Sequence, residues 1–303
     1  MAKIVGGLAM SHGPQLLTPS DKWQELPARA KGPFHPKPGI EAEITLDAMR
    51  AHQDRCNAAI AVLRDKLRAW KPDTIVIVGD DQHENLLDDN IPPFSIFIED
   101  EVDATRSYRY FGTDTSDQPT RYKANGALAR DMLEGLMAEG FDPAWSKKTR
   151  FPGGLGHAFG RVLALLLPDA DVPIVPVMVN TYFPPAPTAA RCAAFGTVLG
   201  AVARRSDRAE RVVFIGSGGL THTKIDEAYD NDFIAALKSH DLAYMAAMTN
   251  EDLVSGTSEI RNWIIAAAAA GAGGAMVDYV PCYRSAQGVG CAMGFASWEK
   301  PAA

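Results

Sequence analysis

Cysteine is scarce and scattered. The four present, Cys56, Cys192, Cys282 and Cys291, form no paired-cysteine zinc signature and are too few for a disulfide framework. They are expected to be reduced thiols, mostly in the core. Positive charge is also in short supply: 30 Lys and Arg against 37 Asp and Glu leave a net charge of -7. This argues against a nucleic-acid partner, because phosphate binding needs clustered cations. The two short basic clusters, Lys147-Lys148 with Arg150 and Arg204-Arg205 with Arg208, fit solvated helix ends. No membrane span is expected, since the apolar run from Ile264 to Ala275 is too short and reads as a core helix. The first residues lack the basic, apolar, small-residue order of a secretion signal, so a cytoplasmic location is expected. Internal repeats and a Pro- or Gly-rich linker are absent as well.

What remains is an ordinary globular composition, 47% hydrophobic over 303 residues, enough for one large α/β domain spanning 1–303. The most informative stretch is Thr74 to His83, Thr-Ile-Val-Ile-Val-Gly-Asp-Asp-Gln-His. Its β-branched run reads as a buried strand that stops at a glycine, two carboxylates and a histidine. A first strand is predicted from Lys3 to Met10, closed by Ser11-His12-Gly13-Pro14. Further strands are predicted at 94–98, 173–179 and 212–215, with two short ones around a Gly-rich turn in 276–298. Helical periodicity marks 45–70, 125–139, 157–167, 187–205, 225–248 and 259–270. This alternation predicts a mainly parallel central sheet flanked by helices on both faces, with a few additional short strands. The polar, poorly periodic segment 99–125 reads as a surface excursion or lid.

Three of the seven histidines, His12, His83 and His222, follow closely on the C-terminal ends of predicted strands. In a parallel sheet those ends share one edge, so the three are expected to converge, and His157 can join them from its Gly-rich turn. His52 and His240 lie within helical patterns and are expected to be surface or packing residues; His35 sits in a proline-rich loop and is assigned no role. Two imidazoles suit iron, zinc, copper or nickel, and a third protein ligand is usually needed beside them. Asp80, Asp81, Glu84, Asp226 and Glu259 are the candidates, and Glu259 taken by itself reads first as a cap of a helix start.

These residues, in this order and spacing, resemble the class III extradiol ring-cleavage dioxygenases, most nearly the catalytic β subunit of protocatechuate 4,5-dioxygenases. The likeness runs from Ser11-His12 to about Trp263. His12 matches the family's first metal histidine, and His83, ahead of Asn90-Ile91-Pro92, matches the second. Glu259 in Glu-Ile-Arg-Asn-Trp matches the metal carboxylate. His222 in Gly218-Gly219-Leu220-Thr221-His222 matches the catalytic base, with Thr where the family usually has Ser. His157 matches a second active-site histidine, although the family's Asp-His-Gly is here Gly156-His157-Ala158.

The resemblance implies an Fe(II) site built by His12, His83 and Glu259, and meta cleavage of a catechol-type substrate with O2 to a ring-opened semialdehyde acid. It implies His222 as proton acceptor and leaves Asp80 and Asp81 in supporting or turn roles. A zinc-dependent hydrolase or a non-enzymatic metal-binding protein on the same scaffold is the alternative. Either a small helical α subunit or a homo-oligomer is the expected partner. Arg106, Tyr108, Arg109, Tyr110, Tyr122 and Lys123 are available to meet a substrate carboxylate, or to form a solvated loop.

Overall fold

A computed structural model describes residues 1–27, 37–106 and 118–299. In chain order its elements are β1 (Lys3–Met10), α1 (Ile40–Glu43), α2 (Leu46–Trp70), β2 (Thr74–Asp80), β3 (Phe94–Phe97), β4 (Glu101–Ala104), β5 (Thr120–Lys123) and α3 (Gly126–Ala138). Then follow β6 (Ala144–Ser146), α4 (His157–Leu166), β7 (Ile174–Val179), α5 (Ala189–Arg205), β8 (Arg211–Ser217) and β9 (His222–Lys224). The chain continues through α6 (Glu227–Ser239), α7 (Leu242–Ala247), α8 (Ile260–Ala270), β10 (Ala275–Tyr283) and β11 (Val289–Glu299). A 3-10 turn, Ser255–Glu259, leads directly into α8.

Strand β2 shows why helices cover both sides of the sheet. All seven of its residues are buried, and successive side chains point to opposite faces. Val76 and Val78 join an apolar cluster with residues of α3, α5, α6 and α8, while Ile75 and Ile77 join a second cluster with α2 and α4. The sheet order is β10-β11-β1-β8-β2-β7-β3-β6, with β9 paired to β11. The central pairs β1–β8, β8–β2 and β2–β7 are parallel. On either flank β11 and β3 run antiparallel to their inner neighbours β1 and β7. The expected fold class therefore holds, with longer antiparallel additions than the sequence suggested.

The apolar run from Ile264 becomes part of α8, every residue of which is buried, ending at Gly271. Its alanines allow α5 to come close: a Cβ added at Gly196 would lie 2.3 Å from the Ile265 carbonyl oxygen. The predicted helix over 225–248 is instead two helices, because His240 takes a left-handed conformation (φ 56°) and Asp241 caps the next helix at Tyr244 N. The two strands expected in 276–298 are nine and eleven residues long, and β11 is inserted between β10 and β1. Its Gly, Ala and Cys content blurs the alternation that would have declared its length.

The 99–125 excursion contains the antiparallel pair β4–β5. It is fastened to the approach of α4 by Leu155 N donating to Asp103 O and Thr105 N donating to Leu155 O. Tyr122 is 1% exposed in the second apolar cluster, so it packs the core and does not belong to a solvated loop. Lys123 is exposed, and Tyr108, Arg109 and Tyr110 lie outside the described residues, as does His35. Among the described residues no helix is long and apolar enough to cross a membrane.

Candidate active site

Register places the exits of four strands on one edge. Met10 faces Ser217, Val78 faces Gly216 and Asp80 faces Val179, so the segments after β1, β8, β2 and β7 emerge together. This is the edge at which parallel α/β sheets build sites. Glu259 reaches the same place from the 3-10 turn ahead of α8.

Glu259 is 1% exposed and makes no capping bond to its helix. Its Oε1 accepts from Tyr182 Oη (2.7 Å) and Gln82 Nε2 (3.2 Å) and lies 3.2 Å from His222 Nε2. Its Oε2 accepts from Gly219 N (3.0 Å) and lies 3.4 Å from His12 Nε2. Burial alone would raise its pKa, but His222 and His12 hold it well below the usual carboxylate range. The Trp263 indole donates to Gly218 O at 2.6 Å, which ties the glycine-rich loop to the helix carrying Glu259.

His12, 4% exposed, has its tautomer fixed by its neighbours. Ser217 Oγ donates to Ala158 O, so it accepts from His12 Nδ1–H at 3.0 Å and leaves Nε2 facing Glu259 Oε2 and, at 3.9 Å, Asp80 Oδ1. A bare lone pair aimed at two carboxylates is unfavourable; the nitrogen must carry a proton or share a cation with them. Burial lowers the His12 pKa, yet the attraction of Glu259 and Asp80 raises it on balance. Asp80 is fully buried, and desolvation followed by the Glu259 charge pushes it up to about 7.

His222 donates Nδ1–H to Leu220 O at 2.9 Å, which confines proton exchange to Nε2. Desolvation disfavours its charged form, but Glu259 overrides this and lifts the pKa to about 10. Thr221 anchors the loop through Asp230, donating its N–H at 2.9 Å and its hydroxyl at 2.7 Å.

The β2 exit departs from expectation. Gln82 Nε2 reaches into the site, donating to Asp80 Oδ2 (3.0 Å) as well as to Glu259. His83 adopts φ 64°, stacks on Phe183 with ring centroids 3.7 Å apart, and places Nε2 3.1 Å from Asp88 Oδ1. Thus the structure brings His12, His222 and Glu259 together and turns His83 toward Asp88. Asp81 accepts from the backbone of Glu84, Asn85 and Leu86 and shapes the turn. Asp226 caps α6.

His157, 3% exposed, packs edge-on against His12 with centroids 4.9 Å apart. Burial depresses its pKa to about 4 despite the nearby Glu84, so the ring is neutral and donates Nδ1–H to Glu84 Oε1 at 2.6 Å. The same carboxylate oxygen accepts from His157 N at 2.9 Å. Position 156 must be glycine for this, because a Cβ there would lie 2.1 Å from the Glu84 carboxylate. The carboxylate expected beside this histidine in sequence therefore arrives from the β2 turn.

The donor set suits a divalent cation. His12, Asp80 and His157 offer atoms within 4.8 Å of one another, all buried, and Glu259 adjoins them. Buried carboxylates gathered on shared donors are costly without compensating positive charge. Asn262 adds an orphan: Nδ2 donates to Asp80 Oδ1 (3.3 Å) and Ser217 O (2.8 Å), while Oδ1, fully buried, has no partner among the described residues. Sequence reasoning passed over Gln82, Tyr182, Ser217 and Asn262, which are not titrating side chains in the neutral range. Their signal was positional, since each lies within a few residues of a strand exit or of Glu259.

The chain is similar to known proteins over much of its length. The family of catalytic LigB subunits of aromatic ring-opening dioxygenases matches residues 40–293. A 2,3-dihydroxyphenylpropionate/2,3-dihydroxicinnamic acid 1,2-dioxygenase of Rhodococcus sp is 32% identical over 170 residues, 56% of this chain and 49% of that protein. The protein of the same name from Escherichia coli (strain K12 / DH10B) is 28% identical over 170 residues, with the same coverage. The chain spans about half the length of the curated relatives it matches. An uncharacterized protein from Escherichia coli K12 of known structure shares 14% identity with a TM-score of 0.49, covering 97% of this chain and 99% of that one.

Proposed function

The chain belongs to the LigB family of class III extradiol dioxygenases, and from that premise we propose that it opens the ring of a catechol-type substrate with O2 at an Fe(II) site on this sheet edge. One observation carries the proposal: Glu259 lies between His12 and His222, 3.4 Å from one and 3.2 Å from the other. A metal-ligating pair and a proton-transfer group thus share one carboxylate. Bound Fe(II) would supply chelation of the diol and electron transfer to O2.

The protein's own contribution is positioning and proton transfer. His222 Nε2 accepts a diol proton and later returns it, with Nδ1 fixed on the Leu220 carbonyl throughout. With Glu259 alone beside it the ring keeps its proton up to about 10, so transfer near neutrality requires the Glu259 charge to be shared with another cation. Tyr182 Oη, 2.7 Å from Glu259 and 3.4 Å from His222 Nε2, sets the angle between them. Neutral His157, held by Glu84, hydrogen-bonds the substrate or its oxygen-derived intermediates. The expected product is a ring-opened semialdehyde acid.

By their names the relatives act on 2,3-dihydroxyphenylpropionate and 2,3-dihydroxicinnamic acid, so catechols bearing an acidic side chain lead the substrate panel, beside protocatechuate and gallates. Oxygen uptake by the Fe(II)-loaded chain with this panel tests the assignment. His222→Phe is expected to retain iron and lose about 10² to 10⁴ in turnover; unchanged turnover would remove His222 from the reaction. Zinc retained through purification, with no oxygen uptake, would favour a hydrolase or a binding protein, which the family match does not. A second subunit or self-association at the site is tested by measuring activity against protein concentration.

A further inference from the structure

The turn after β2 offers two candidates for the next metal-facing side chain, and they point different ways. His83 is stacked on Phe183 and directed at Asp88. Asp80 faces His12 Nε2 and is bridged to Glu259 by a single amide nitrogen, Gln82 Nε2, at 3.0 and 3.2 Å. Two buried carboxylates, 0% and 1% exposed, therefore converge on the same two nitrogens, His12 Nε2 and Gln82 Nε2. That is the arrangement a divalent ion stabilises, because it neutralises both anions at once.

We propose that in this chain Asp80 takes the place of a second histidine, so that the ion is held by His12, Asp80 and Glu259, with the Gln82 amide joining the two carboxylates and His83 outside the ligand set. The inference rests on the ring-cleaving assignment only for the presence of a divalent ion. Its own content is which residues bind that ion. One imidazole and two carboxylates make a harder, more oxygen-rich site than two imidazoles and one carboxylate, and they balance the ion's charge. Mn(II) and Fe(II) are favoured over softer ions. The neighbours support the geometry: Asn262 Nδ2 orients Asp80 Oδ1, and Ser217 Oγ fixes the His12 tautomer.

The test is a titration of the metal-stripped full chain with Mn(II), read by loss of the free-ion EPR signal, on wild type, His83→Ala, Asp80→Asn and Gln82→Ala. Circular dichroism and thermal melting check that each variant is folded. The expected result is one equivalent bound by wild type and by His83→Ala with the same affinity, and affinity weakened at least about tenfold in Asp80→Asn and about tenfold in Gln82→Ala. Loss of binding in His83→Ala, or undiminished binding in Asp80→Asn, overturns the ligand assignment and leaves the ring-cleaving proposal standing. If Asp80→Asn fails to fold, His83→Ala decides alone: full binding supports the assignment and lost binding overturns it. A wild-type chain that binds neither Mn(II) nor Fe(II) overturns both. The expected pattern of Mn(II) affinities across the set, with no oxygen uptake on any catechol, overturns the function alone.

Discussion

The two turns that deliver the site, after β8 and after β2, behave differently. The β8 exit, Gly218 to His222, is pinned on each side: Trp263 holds Gly218 O, Ser11 Oγ donates to Gly219 O, Asp230 holds Thr221, and Leu220 O holds the His222 ring. The β2 exit is an irregular turn in which His83 is left-handed. Asp80, Gln82 and Glu84 reach inward, to His12, Glu259 and His157 respectively, while Asp81 caps the turn and His83 faces Asp88. The Asp81 carboxylate and the left-handed backbone at His83, rather than ligand type, choose which side chains enter the site. A pinned loop can be assigned from its motif, whereas a turn held this way must be followed residue by residue.

Breaking the pinned side should cost most. Glu259→Ala removes the carboxylate shared by His12 and His222, and both stoichiometric metal and ring cleavage should vanish, as elemental analysis and oxygen uptake would record. Exchanging the β2 turn should cost less and differently. Glu84→Ala leaves the buried N–H groups of the neutral His157 without their acceptor and should destabilise the fold by about 1 to 3 kcal/mol in urea titration. Gly156→Ala presses a methyl against that same carboxylate and should cost about 1 to 3 kcal/mol, with a smaller loss of turnover. Unaltered stability in either would mean that the Glu84 contact is dispensable.

A pH series on the metal-free chain sharpens the contrast further. His222 titrates near 6.5 when unfolded and about 10 when folded beside Glu259. Its contribution to stability is therefore complete below about 6.5 and lost as pH rises toward about 10. The melting temperature should fall across that interval, and His222→Phe should flatten the fall. The smallest effect belongs to His52→Ala: this largely buried ring lies on α2, 3.5 Å from Glu43 and apart from the site, and turnover should be unchanged.

Much of the scaffold was legible because hydrophobic periodicity is a strong signal. The sequence-predicted bounds of β1 coincide with the structure, and α2 begins one residue after its Thr45 cap. Counting strand exits brought His12, His83 and His222 to one edge; His12 and His222 both lie beside Glu259, which entered through the resemblance, whereas the His83 ring turns to Asp88. Two things were hidden. Antiparallel β11, with its small residues Gly290, Ala292, Gly294 and Ala296 and ten of its eleven residues buried, carries little alternation, and nothing local reveals that it inserts beside β1. The orientation of Gln82 and His83 depends on one left-handed residue within the turn, which no residue-type argument weighs. Gly156 looked like a departure from the family motif, and in space it is the room that Glu84 requires.

The most direct test of the whole account is a single-turnover experiment. The Fe(II)-loaded chain is mixed anaerobically with 2,3-dihydroxyphenylpropionate or another acidic catechol, then exposed to air while oxygen and the yellow ring-opened product are recorded together. One O2 consumed per catechol opened, with both signals lost in Glu259→Ala, is the predicted result. Stoichiometric Fe(II) with no oxygen uptake on any catechol of the panel would contradict it.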